Sequence, residues 1–266
     1  MKKTILAVLI AMAIPAFAAD PSIPVAPTAP NPAALIAVTD TTFSAGVATA
    51  LNNATTNIVY LQQSGNTPTV NILQDGNSNR AGADANGNIN PMILQGSNQV
   101  VTLIQQGNGN LVDTLQLVTS SGASQITIQQ IGNENTINAL CGGGSANCNN
   151  LNANWYFNNT TGSAAGNTLN FTGSGNNLTT GINVMGGGNS ITDLMNGDNH
   201  QQLINIAGDN NTLNISQTSA GASSLVLNQA GTGTAFNVSQ SGAYSNVANI
   251  QATANGGSFN ITQHSR

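Results

Sequence analysis

The residues placed to do chemistry in this sequence are its amides, because glutamines recur in phase. A glutamine follows two alternating apolar residues at Val59/Leu61/Gln63, Val70/Ile72/Gln74, Val101/Leu103/Gln105 and Ile126/Ile128/Gln130. The triplet returns at Leu213/Ile215/Gln217, Leu225/Leu227/Gln229, Phe236/Val238/Gln240 and Phe259/Ile261/Gln263, with a weaker copy at Val247/Asn249/Gln251. Gln116 lies eleven residues after Gln105, and Gln229, Gln240 and Gln251 keep the same step. Asn110 and Asn135 stand five residues after Gln105 and Gln130, where a next arm begins. An amide carries two donors and an acceptor with two lone pairs. Identical amides stacked at a strand spacing of about 4.8 Å can therefore hydrogen-bond along a column. The expected chemistry is structural, an inward amide ladder built from these glutamines with Asn110 and Asn135. A buried amide without partners costs about 1–3 kcal/mol, so repetition is what makes such a row tolerable. The other reading, polar strand ends facing water, gives glutamine no reason to hold one position relative to the apolar pair.

No catalytic constellation competes with this. His200 and His264 are the only histidines, and neither sits in a nucleophile or metal motif. Asp75, Asp113, Asp193, Asp198 and Asp209 fall at corners or on alternate faces, where they limit aggregation or solvate a turn. The nine-residue Gly/Asp repeat of calcium-binding solenoids is absent. No cofactor or metal site is expected, and the chain does not read as an enzyme. Cys141 and Cys148 flank a Gly-rich turn, and Cys141 takes the place of the glutamine after Ile137 and Ala139. In an exported protein two nearby cysteines most simply form a disulfide, and a zinc site would need more ligands than this stretch supplies.

The elements that position the amides are short strands and tight corners. In Val100–Gln116 a period of two runs to Gln105, Gly107-Asn108-Gly109-Asn110 supplies residues that tolerate positive φ, and the alternation then resumes. Recurrence of this unit predicts an all-β chain: a β-solenoid of stacked two-strand coils, about 22 residues per coil, suited to cross-β assembly. The repeats span 57–266, with a degenerate middle at about 141–207 that keeps the corners and drops the glutamines. Asn77–Asn90 reads as a polar loop bulging from a corner.

The ends and composition bound the setting. Residues 1–18 have the plan of a secretory signal peptide: Lys2-Lys3, the apolar run Thr4–Ile14 and Ala16-Phe17-Ala18. That run is too short to span a bilayer, and no other segment is long enough. Residues 19–56 form a Pro/Ala-rich leader or linker, with Leu35–Asn53 a candidate short helix. Only 5% of residues are charged, and removal of the signal would leave Arg80 and Arg266 as the basic residues. That balance excludes an electrostatic nucleic-acid surface.

Ser124, Gln130 and Asn135 match the first three places of the pattern S-x5-Q-x4-N-x5-Q, and Gln105, Asn110 and Gln116 its last three. This resembles the curlin repeat of the fibre-forming subunits of bacterial curli. The resemblance covers Asn57–Asn135 and Asn211–Gln263 well; Gln99 stands where Ser is usual and Cys141 where the last Gln is usual. It implies a secreted structural subunit of a curli-like amyloid fibre on the bacterial surface, active in biofilm matrix and adhesion. Its implied partners are further copies of itself, a nucleator subunit and an outer-membrane secretion pore. The last triplet, Phe259–Gln263, runs almost to Arg266, so an uncapped edge is expected there. The alternative is a monomeric secreted β-solenoid, an adhesin or ice-binding protein using a flat face. Ice binding would favour regular outward Thr ranks, whereas Thr102, Gln129, Asn214, Val226, Asn237 and Asn260 are mixed.

Overall fold

A strand with one apolar side is stable only when a second layer covers that side, and a row of short strands can supply the layer by folding back on itself. The computed structural model has this arrangement. It describes residues 35–40, 57–64, 69–96, 99–118, 124–142, 148–149, 151–159, 165–219, 222–242 and 246–264. The expected signal peptide, and most of the leader, lie outside the described residues.

Among the described residues there is no helix, and every strand-to-strand pairing is parallel. One wall is a long sheet. It runs in order through Leu35–Asp40, Ile58–Ser64, Leu111–Val118, Thr136–Cys141, Thr168–Asn176, Ser190–Gly197, Thr212–Ser219, Thr234–Gly242 and Gly257–His264. Arg80–Ala81 and Met92–Gln95 together fill the level between Ile58–Ser64 and Leu111–Val118. The facing wall consists of shorter sheets, such as Thr69–Asp75 beside Gln99–Gln106 and Ser223–Val226 beside Asn246–Asn249. The chain is a β-solenoid. Its step is 22 residues from Ser190 to Thr212 and 23 from Thr234 to Gly257, and it lengthens where loops are inserted.

The core is the seam between the walls. Val101, Leu103, Leu169, Phe171, Ile191, Leu213, Ile215, Leu225 and Leu227 are buried there in a single continuous cluster. Full burial of each such side chain contributes about 1.5–3 kcal/mol. The Gln-poor middle is packed with the largest side chains: Trp155 and Phe171 meet with ring centroids 5.4 Å apart, and Phe157 lies beside them in the core. Phe157 stacks in register on Gln130, and Cys141, Gly173 and Met195 fill the column below Gln217. The middle therefore exchanges amides for apolar volume and keeps the same coil.

Corners must bring successive backbones close. Gly107 has φ +106°, and a Cβ built on it would collide with the carbonyl oxygen of Gly132 one coil away. Gly233 has φ +69° with open space around it. Gly107→Ala should therefore destabilise by about 3 kcal/mol or more, since strain and overlap add. Gly233→Ala should cost only about 1–2 kcal/mol of left-handed strain. Denaturation midpoints of the two variants check this, and equal losses would contradict the close approach.

Three expectations change. Leu35–Asp40 is a strand, paired residue for residue with Ile58–Gln63, and not part of a helix. Its backbone pairs at all six positions with the edge of the long sheet, which outweighs weak local helix preference. The polar insertion does not leave from a corner. Asn79 and the strand Arg80–Ala81 stay in the stack, and the excursion lies between Ala81 and Met92, within one level of the long sheet. Asp84 holds that loop, accepting hydrogen bonds from the Asn86 and Asn88 backbone and the Asn88 side chain, which lower its pKa. The coil step also departs from a uniform 22, with consequences for individual glutamines.

Candidate functional site

The most regular feature of the interior is a column of asparagines. Each stands directly before a strand of the long sheet, so a strand start fixes its backbone while its side chain turns inward. Asn57, Asn79, Asn110, Asn135, Asn167, Asn189 and Asn211 are all fully buried. From Asn110 to Asn211, each Nδ2 donates to the Oδ1 of the asparagine one coil earlier, at 2.9–3.1 Å. The backbone N–H of each donates to the same oxygen. The second amide proton closes the corner, as from Asn110 to the Gly132 carbonyl at 2.8 Å and from Asn189 to that of Gly208 at 2.9 Å. Both donors and both lone pairs are thus used, the condition under which a buried amide is stable. Thr234 ends the column, its N–H donating to Asn211 Oδ1.

Only Asn110 and Asn135 of this column were read from the sequence. Asn57 and Asn79, and Asn167, Asn189 and Asn211, keep the 22-residue step expected of a coil, which is the signal that could have found them. Inserted loops lengthen the steps from Asn79 to Asn167 to 25–32 residues and break that period.

Six of the glutamines form two in-register columns. Gln74, Gln105 and Gln130 share one in-register column, and Gln217, Gln240 and Gln263 share another. Direct amide-to-amide bonds along these columns join Gln74 to Gln105 at 2.5 Å and Gln240 to Gln217 at 3.3 Å. The commoner partner is a backbone carbonyl across the interior. Gln74 donates to Ile58, Gln105 to Arg80, Gln130 to Leu111, Gln240 to Ser224 and Gln263 to Val247. Gln229, also buried, donates to the Ala254 carbonyl at 3.4 Å. The glutamines tie the two walls together at least as much as they form columns.

Gln116 and Gln251 are not part of the interior. In Leu111–Val118, Asp113 is an extra residue: Val112 pairs with Ile137 but Thr114 pairs with Asn138. The bulge shifts the alternation, so Leu115 and Leu117 are buried and Gln116 lies on the outer side, half-buried. Asn90, from the inserted loop, donates to the Asp113 carbonyl at 2.9 Å and to Thr114 Oγ1 at 3.0 Å, holding the bulge. Near the C-terminus the 23-residue step sets Ala252 over Gln229 and Ala248 over Leu225. Gln251 is therefore exposed, and so is Val247 at 62%. The Gln63 side chain lies outside the described residues, although its backbone pairs with Asp40 and Leu94. Cys141 and Cys148 form a disulfide with Cα atoms 5.3 Å apart, both buried against the core.

A polar cluster that sequence placed at a surface sits inside the coil Ser190–Ala207. Asp193 is fully buried between Phe171 and Ile215 of the adjacent strands, because it occupies the inward position between Ile191 and Met195. Its Oδ2 accepts from Gln202 Nε2 at 2.6 Å, and Gln202 Oε1 accepts from Gln217 Nε2 at 2.7 Å. Asp193 Oδ1 has no partner. Burial raises its pKa from the ordinary 3.8 to about 7, against a smaller opposing effect of the Gln202 hydrogen bond. His200, in the same coil, is fully buried, and neither ring nitrogen meets a partner at hydrogen-bonding geometry. Burial lowers its pKa; the Asn196 backbone, the Asp198 charge and the Gln217 amide oppose this without reversing it. For Asp193 the alternation Ile191, Asp193, Met195 is a local mark of the inward face; no comparable pattern marks His200.

No family model matches the chain, and no curated protein or solved structure is significantly similar to it.

Proposed function

We propose that this chain is a structural subunit of an extracellular curli-like amyloid fibre, assembling by end-to-end β-stacking in a biofilm matrix and at surfaces. One observation carries the reading. Among the described residues, the strand Gly257–His264 has a neighbour on one side only, and it repeats the strand beneath it in register. Phe259 lies over Phe236, Ile261 over Val238, Asn260 over Asn237 and Gln263 over Gln240. The two phenyl rings are stacked with centroids 4.8 Å apart and planes within 7°. Phe259 is 37% exposed, whereas Phe236 beneath it is covered. An ordered strand whose apolar and amide columns stop at a free edge is a template for one more strand. The arm opposite it contributes less, since Ala248 and Ala252 replace the larger Leu225 and Gln229 of the coil below. Export through the N-terminal segment, a nucleating subunit and an outer-membrane pore complete the reading.

The test is dilution of the purified mature chain from denaturant. Unbranched fibres with dye binding and a concentration-dependent lag are expected. Soluble monomer at all concentrations would reject the reading and favour the alternative of a monomeric solenoid adhesin or ice-binding protein. That alternative draws on the outer row Asn138, Asn170, Thr192, Asn214, Asn237 and Asn260, which lie in register on an uncharged flat face.

A further inference from the structure

We propose that Asp193 and His200 are an opposed pair: their folded coil buries both in neutral form, so that their separate effects on stability act against one another in the weakly acidic range. The geometry carries this. They are the two fully buried members of the acid–base set among the described residues, and one coil holds both. A charged carboxylate at Asp193 would lie between Phe171 and Ile215 with one oxygen unpartnered. A charged imidazolium at His200 would need two acceptors at hydrogen-bonding geometry, and neither nitrogen meets one, although the Asn196 carbonyl and the Gln217 amide lie near enough to oppose the loss of its proton. Burial without full pairing selects the neutral form of each. The two sites share a hydrogen-bonded frame, Asp193–Gln202–Gln217, with Gln217 beside His200.

The surroundings add little charge. The adjacent strands present Phe171 and Ile215 to Asp193, and Gln202 faces it from the other wall. His200 pairs in register with Ser223, and Asp198 of its own turn is the charged group acting on it.

Signs follow from proton counting. Asp193 titrates at 3.8 when unfolded and about 7 when folded, so by itself it loses stability as pH rises between those values. His200 titrates at 6.5 when unfolded and lower when folded, so by itself it loses stability as pH falls below 6.5. Between about pH 3.8 and 6.5 the unfolded pair is Asp⁻/His⁺, and burial disfavours both charges in the folded coil. The two slopes there have opposite signs. Above 6.5 the unfolded histidine is already neutral, so stability falls through neutrality. This is independent of whether the chain forms fibres.

The experiment is urea unfolding of the monomeric full chain from pH 4.5 to 8, with Asp193→Asn, His200→Gln and the double variant as baseline. Relative to that baseline, His200→Gln should lose about tenfold in the folding equilibrium per pH unit up to pH 7. Asp193→Asn should gain with pH up to 6.5, and the unsubstituted chain should vary less with pH below 6.5 than His200→Gln does. Identical pH profiles for all four proteins would overturn the pair. If a variant does not fold, NMR of the unsubstituted protein at pH 6 decides. A protonated Asp193 carboxyl with a neutral His200 ring is expected, and a carboxylate with an imidazolium would refute it.

Discussion

Asn189→Asp should destabilise the solenoid by about 3–5 kcal/mol. The side chain is isosteric, so packing is unchanged and electrostatics alone decides. Asn189 Nδ2 donates to Asn167 Oδ1 and to the Gly208 carbonyl, each at 2.9 Å. In aspartate both donors become lone pairs facing those two oxygens. Its remaining oxygen would still accept from the Asn211 N–H and Nδ2. The result is a buried charge held against two acceptors, in a column where each rung orients the next. Protonation would restore one donor, so the loss should shrink on acidification. Asn237→Asp is the comparison, because Asn237 is an exposed outward residue of the same long sheet. Its effect should stay within about 0.5 kcal/mol. Thermal and urea unfolding of both variants measure the difference, and similar losses would mean that the asparagine column contributes no more than surface polarity.

Gln240→Pro should reduce the rate of seeded fibre growth at least tenfold, if the C-terminal strand is the growing edge of a fibre. Gln240 belongs to Thr234–Gly242, which lies directly between Thr212–Ser219 and Gly257–His264. Proline fixes φ near −65° and removes a ladder N–H, at about 3 kcal/mol or more within a central strand. It also deletes an amide that donates to Gln217 and to the Ser224 carbonyl. Both the last coil and its apolar column, Phe236 beneath Phe259, lose their support. Thr180→Pro is the control. Thr180 lies outside the strands, and its Oγ1 has no partner. Elongation from preformed seeds is the readout, with lag time recorded separately. Equal slowing by the two prolines would remove any special role for the C-terminal edge, and unimpaired growth by Gln240→Pro would remove the amide columns from assembly.

What the amino-acid sequence determined by itself was the local geometry. The period of two in Val101, Leu103 and Gln105 fixes which side of a strand is buried, because successive side chains point to opposite faces. The glycines of Gly107-Asn108-Gly109 fix where the chain turns, because Gly107 and Gly109 take positive φ. Together these made an all-β coil legible, with one apolar face and amides at its strand ends.

What only the tertiary structure decided was register between coils. Stacking partners lie 22 to 32 residues apart, with loops of unequal length between them, so no local pattern states which residues meet. A slip of one residue reverses the faces of everything beyond it. The bulge at Asp113 therefore turns Gln116 out and Leu117 in, and the 23-residue step exposes Gln251 and buries Leu225 under Ala248. Register likewise gathers Asn79, Asn110, Asn135 and Asn167 into one column that their uneven steps of 31, 25 and 32 residues conceal. Asp193 shows the rule most sharply. An aspartate is polar wherever it is read in a sequence, but the alternation Ile191, Asp193, Met195 and the strands stacked on either side leave it no route to water.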